Sequence, residues 1–303
     1  MAPGTPQRVK TMPPASAGGF AGRRRYVVQV RFGRRRYRGI APLVTRDAKV
    51  PRREYASWRD AQTWDPARDS DLVVQAELAP AAWIRPLLAA TSDQVRAIVP
   101  QGFDAYARIF FPFAGDDIVV DGEPDQQLIT WTEMARRHGR VAYALMEPET
   151  ILAGPAGAHE NQTCVGSLSG EQFAALLPAL TRHTSSAGSW FLLWNGFGNL
   201  NERAFQRAPT VSYPLRDFYL LRGPHSGYAD FPDEPNYWWP EDRAWCVCTD
   251  TDFDWAYLAG PAACIDEVIS VPVLDAYATK PDNPAQSGMD VINDPDGTVP
   301  RQI

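Results

Sequence analysis

Lysine is almost missing from this chain: of 30 basic residues only Lys10, Lys49 and Lys280 are lysine. Cysteine and histidine are also sparse, at four each in 303 residues. That is too little cysteine for a disulfide scaffold, and a reducing cytoplasm is the default compartment. No apolar run reaches the roughly 18–20 residues of a membrane span, so no membrane association is expected. The basic N-terminus is not followed by the apolar segment of a secretory signal.

Catalytic signatures are missing as well. There is no G-x-S-x-G, no H-E-x-x-H and no P-loop. Gly196-Phe197-Gly198 is a bare G-x-G followed by Asn199-Leu200-Asn201, which does not make a dinucleotide fingerprint. Cys246-x-Cys248 is one residue short of a zinc half-site and has no second pair. No catalytic residue, cofactor or metal is therefore assigned.

What the chain does have is aromatic residues, unevenly spread. Seventeen of its 34 Phe, Trp and Tyr fall between Trp190 and Tyr257. Each buries a large apolar area, and Tyr and Trp add a polar handle, so this block is read as the heart of the fold and a source of binding surface. Charge is uneven too. Residues 1–70 carry a net +11 and residues 71–303 a net −17, for a total of −6. The chain thus reads as a basic, partly disordered N-terminal arm (1–70) on an acidic globular body (71–303), the latter divisible into lobes 71–185 and 186–303. In-frame translation of upstream DNA is an alternative source of the arm.

Along the arm, residues 26–32 have strand-like density, Gly33 is a turn candidate, and Arg34 to Arg38 follow as the second half of a basic hairpin. Trp58 and Trp64 are candidate anchors onto the body. In the body, strands are expected at 72–76, 106–113, 118–120, 141–145, 190–194, 216–222 and from 244 onward. Helices are expected over 80–90, 92–99, 128–137, from a capping box at Ser169-Gly170-Glu171-Gln172, and after Pro261. Residues 114–127 read as an acidic loop and 280–303 as a loose tail. Without strict βαβ alternation, the fold class is α+β: a mixed or mostly antiparallel sheet with helices packed on it.

Three groups are candidate binding residues. With period 2, Asp250, Asp252 and Asp254 fall on one face of a strand, about 6–7 Å apart, as a carboxylate row able to bind a hard cation. A calcium loop is rejected because its glycine position is Trp255 and its twelfth position Pro261. The bland reading is a solvated polar face. Arg222 and His225 flank a Gly-Pro turn after a strand and could hold an anion, or simply pair with surface acids. Tyr237, Trp238 and Trp239 sit between Asp233-Glu234 and Glu241-Asp242. Those acids should draw the loop outward and make it a recognition surface, while Trp190 and Trp194 form the core; the opposite reading closes a core beneath the loop.

The stretches Ala244-Trp245-Cys246-Val247-Cys248-Thr249-Asp250-Thr251-Asp252-Phe253-Asp254 and Asp217-Phe218-Tyr219-Leu220-Leu221-Arg222-Gly223-Pro224 resemble a group of actinobacterial proteins that carries no transferable function. Phe191-Leu192-Leu193-Trp194-Asn195-Gly196 is similar to the F-L-x-x-N-G stretch of the SUKH (Smi1/Knr4-like) superfamily. That resemblance implies an α+β fold and a binding or toxin-immunity role. The expected function is a non-enzymatic protein-binding module, immunity-like, using an aromatic and acidic surface. The acidic body suits a basic protein partner and argues against nucleic acid as the main ligand. The alternative is a metal-assisted hydrolase using the Asp250–Asp254 cluster with His225 as acid or base.

Overall fold

A computed structural model describes residues 27–32, 35–40, 63–89, 93–120, 123–153, 164, 166–213, 216–286 and 288–299. Trp58 lies outside them. Val27–Phe32 (β1) and Arg35–Ile40 (β2) pair antiparallel with Phe32 opposite Arg35, the hairpin expected around Gly33. This hairpin belongs to a unit spanning Met1–Arg52; a second unit, Arg53–Ile303, carries everything that follows.

The second unit opens with Trp64, which is already buried, and with the helix Pro66–Asp69 (α1), capped by Asp65 accepting from the Ala67 N–H at 3.0 Å. Val73–Val74 (β3) follows. Where helices were expected over 80–90 and 92–99, the chain makes three separate 3-10 turns at Ala79–Ala81, Arg85–Leu87 and Val95–Ala97. Pro80 and Pro86 each remove a backbone donor, so no α-helix propagates through the first of these segments. Ala105–Phe110 (β4) is the expected strand. The expected acidic loop is instead a hairpin of Phe113–Val120 (β5) and Glu123–Ile129 (β6). Thr130 then caps Trp131–Arg137 (α2), accepting from the Glu133 N–H at 3.1 Å.

Residues 141–145 form no strand. Asn293 accepts from the Val141 N–H at 2.8 Å and donates to its carbonyl at 3.0 Å, taking both backbone groups that a ladder would need. Pro148–Leu152 (α3) follows. Gly170–Arg182 (α4) starts on the expected capping box, with Ser169 and Gln172 exchanging backbone-to-side-chain bonds at 3.1 Å each way. The remaining elements are Gly188–Trp194 (β7), Glu202–Phe205 (α5), Thr210–Ser212 (β8), Asp217–Pro224 (β9), Tyr237–Pro240 (β10), Cys246–Thr249 (β11), Trp255–Gly260 (β12), Ala262–Ile269 (α6) and Ala276–Thr279 (β13). Residues 280–299 are no loose tail where described: Ala285, Met289, Asp290 and Asp294 are all buried. Glu147 accepts from the backbone N–H of Gly288 and Asp290, while Asp290 accepts from the Glu147 N–H, so this segment is cross-tied to the start of α3.

The fold is α+β around one nine-stranded sheet, ordered β13-β4-β12-β11-β10-β7-β9-β3 with β8 also on β9, and its strand pairs are antiparallel. Both faces are covered. On one, Tyr106, Phe110, Leu192, Tyr237, Trp239, Cys248 and Tyr257 pack with residues of α2 and α3. On the other, Ile109, Phe191, Trp238, Val247 and Leu258 pack with Leu176 and Leu180 of α4 and Cys264, Ile265 and Val268 of α6. Successive residues of a strand point to opposite faces. In a central strand of a sheet covered on both sides, every residue is therefore core. This decides the fate of β10.

Candidate functional site

Tyr237, Trp238 and Trp239 were expected at the surface; they are core. Trp238 and Trp239 are 0% exposed and Tyr237 6%. β10 lies between β7 and β11, with Tyr237 opposite Leu192 and Trp238 opposite Phe191. Trp238 stacks on Phe191 at 6.1 Å and meets Trp245 edge-on at 4.9 Å. The flanking acids do not pull the strand outward because each finds a partner at the strand's ends. Glu234 accepts from the Leu168 N–H at 2.5 Å and from the Tyr228 hydroxyl, and Asp233 accepts from Asn199 at 2.6 Å. Glu241 takes Arg222, and Asp242 takes Thr184 and Ser185. Burial pushes the Glu234 carboxyl up to about 7 against the pull of its two donors.

Arg222 and His225 are both engaged internally. Arg222 pairs with Glu241 at 2.5 Å and leans over the Trp190 ring at 5.5 Å. His225 Nδ1 lies 2.7 Å from Ser189 Oγ and Nε2 lies 2.8 Å from the Ser186 carbonyl. The Trp238 indole N–H donates to Ser189 Oγ at 2.9 Å. The Ser186 carbonyl can only accept, so neutral His225 donates from Nε2 and its Nδ1 accepts the Ser189 hydroxyl proton, while the indole N–H donates to the same oxygen. Ser189 is fully buried, so this chain of bonds satisfies the polar atoms beneath Trp238.

The carboxylate row is also rearranged. The strand ends at Thr249, and Asp250, Asp252 and Asp254 occupy the turn into β12, so the period-2 alternation stops before it reaches them. Arg216 bonds Asp250 at 2.6 and 3.0 Å and Asp252 at 2.8 Å. These bonds, Asp250's first, raise the Arg216 guanidinium further above its usual range, against the opposing effect of burial. No group of three or more His, Cys, Asp or Glu among the described residues is arranged to hold a metal ion. His225 does not join the row. It is tied to the start of β7 at Ser189, whereas Arg216 sits over Trp194 at the other end, five residues or about 17 Å away along a strand.

That far end of β7 is where aromatic rings reach the surface. Trp194, expected in the core, is half-buried, as is Phe197, and their rings meet edge-on at 5.3 Å. Trp194 is the last residue of β7, two residues past Leu192, the last that β10 pairs with. Its indole folds back over Gly196, where any Cβ would collide with the ring. On the outer side the Arg216 guanidinium lies 4.5 Å above the indole. The result is a layered edge of Phe197, Trp194, Arg216 and Asp250, ending in Asp252, whose side chain is 81% exposed. Sequence reasoning missed Arg216. The available signal was an arginine directly before the Asp217–Pro224 strand with acids in a nearby turn, but their pairing depends on which strands are neighbours.

One further group had no sequence signal. Arg108 on β4 is 0% exposed, with its guanidinium 3.6 Å over Trp255 and 4.5 Å over Phe110. Burial pushes it down to about 10, so it stays charged at neutral pH. It donates to the Ala144 carbonyl at 2.7 Å and so ties the loop before α3 to the sheet.

Comparison with family models, with curated proteins and with solved structures returns no match for the chain.

Proposed function

We propose that this chain is a non-enzymatic protein-binding module, immunity-like in character, whose contact surface is the aromatic and acidic edge at Trp194, Phe197, Arg216, Asp250 and Asp252. The observation that carries the reading is the half-buried Trp194–Phe197 pair set beside carboxylates that outnumber the one arginine between them. Tryptophan and arginine together, partly accessible, are the residues in which binding hot spots are enriched. The stretch that resembles the SUKH superfamily, Phe191 to Gly196, ends on this edge. With residues 71–303 at −17, a basic protein is the partner of choice, steered in by charge.

The binding reading is preferred to the metal-assisted one because Asp250 and Asp252 share Arg216 and His225 is bonded at the other end of β7. The test is crosslinking of the full chain in its native lysate, with Trp194→Ala and Asp252→Lys variants in parallel. A partner captured by the wild type and lost by at least about tenfold in both variants supports the surface, since a hot-spot truncation costs on the order of 2 kcal/mol. Partners captured equally by all three chains remove it.

A further inference from the structure

A second feature borders this edge and has a different chemistry. A pocket of about 370 Å³ opens between the loop after β7 and the outer face of β9, within the size range of small-molecule sites. Its working lining is Asn195, Phe197, Glu202, Phe205, Gln206 and Tyr219. The floor is the end of an aromatic stack: Trp64 lies over Phe205 at 6.2 Å and Phe205 over Tyr219 at 4.5 Å, with the half-buried Tyr219 outermost. Among the described residues, the Asn195, Glu202 and Gln206 side chains and the Tyr219 hydroxyl form no hydrogen bond to other protein groups. Asn201, also in the lining, is occupied in capping α5 and bonding Thr63.

The lining narrows the ligand by elimination. An anion would meet the Glu202 carboxylate. A metal cation would find Glu202 as the single charged side chain of the lining, short of the several oxygen ligands that a hard cation takes. A purely apolar molecule would strip water from three polar side chains without replacing their bonds, which is unfavourable. A neutral ring bearing several hydroxyls satisfies all of these groups. Its hydroxyls donate to Glu202 and exchange bonds with the two amides and the phenol, while its C–H face packs on Tyr219 or Phe197. We propose that this pocket binds a neutral polyhydroxylated ligand, a monosaccharide unit. This does not depend on the protein-binding reading of the neighbouring edge.

The test is titration of the full chain with glucose, galactose, mannose, N-acetylglucosamine and trehalose, and separately with adenosine and arginine. Binding is followed by calorimetry and by backbone amide shifts. The expected result is millimolar binding of at least one sugar with shifts at Gly198 and Glu202, weakened about tenfold or more by Glu202→Gln and by Gln206→Ala. Both substitutions are at exposed positions, so the variants should keep the wild-type amide spectrum elsewhere. Three results would overturn the proposal: no sugar response up to about 100 mM, a response that both variants retain, or binding of adenosine or arginine without any sugar.

Discussion

Two aromatic stretches of this molecule are buried in the reverse of the order that their sequence neighbours suggest. Trp238-Trp239 has acids before and after it and is fully buried; Trp190 to Trp194 is an unbroken apolar run, yet its two tryptophans are only partly buried. The difference is position within the sheet. β10 is short and lies wholly under the cover of both faces. β7 is longer than β10: Trp194 is its last residue, beyond the stretch that β10 pairs with, and lies under Arg216, while Trp190 is opposite Trp239 and lies under Arg222. Charged neighbours in sequence do not force exposure when each charge is met at the strand's ends. Apolar neighbours do not guarantee burial at the end of a strand.

The largest effect that can break this contrast is truncation. Trp238→Ala should cost about 3–5 kcal/mol, as large aromatic deletions in cores do. Trp194→Ala should cost about 1 kcal/mol, nearer the ordinary range for a partly exposed site. Denaturant melts of the two variants decide it, and equal losses would mean that the sheet cover does not set the hierarchy. The next effect concerns the polar atoms beneath Trp238. Ser189→Ala leaves the Trp238 indole N–H and His225 Nδ1 without their shared partner. A loss of about 1–3 kcal/mol is expected, the cost of unpaired buried polar groups. If Ser189→Ala is neutral in a melt, the chain Trp238–Ser189–His225 is not what satisfies this strand.

The smallest effect is a pH dependence at the entry to β10. Glu234 has a carboxyl raised from 4.5 to about 7, chiefly by burial. A raised carboxyl binds its proton more tightly in the folded than in the unfolded state. Its contribution is therefore fully present below pH 4.5 and is lost as pH rises through about 7. The Glu234 side chain keeps partial access to solvent, which screens the charge, and the loss should be on the order of 1 kcal/mol across that window. Burial raises Asp230 and Asp233 as well, so the wild-type slope has several sources. Unfolding free energies of wild type and Glu234→Gln between pH 5 and 8 isolate the Glu234 share. A variant as pH-dependent as the wild type would show that the Leu168 and Tyr228 bonds do not report on this carboxylate.

Much of the fold was legible because its signals are local. The Ser169 capping box, the proline before Ala262–Ile269 and the strands at β4, β7, β9 and β11 depend on a few adjacent residues each. The lack of βαβ alternation was enough for an α+β sheet. Local propensity also explains two misses. A helix was expected over 80–90 where Pro80 and Pro86 lie in 3-10 turns, and the alternation in 245–255 was carried through a turn.

The binding surface was a different problem. Asp250 and Asp252 were visible, but nothing near them in the chain shows that their counter-charge is Arg216, 34 and 36 residues away. Periodicity says which residues share a face. It does not say whether that face is covered, nor which strand lies alongside. The amino-acid pattern by itself determined the helix caps, the strand segments and the concentration of aromatics that builds the core. Only the tertiary arrangement decided that Tyr237, Trp238 and Trp239 are interior and that Trp194, Phe197 and Arg216 form the outer edge. Exposure depends on the strand order across the sheet and on which helices cover each face, and both are set by contacts between residues far apart in the chain.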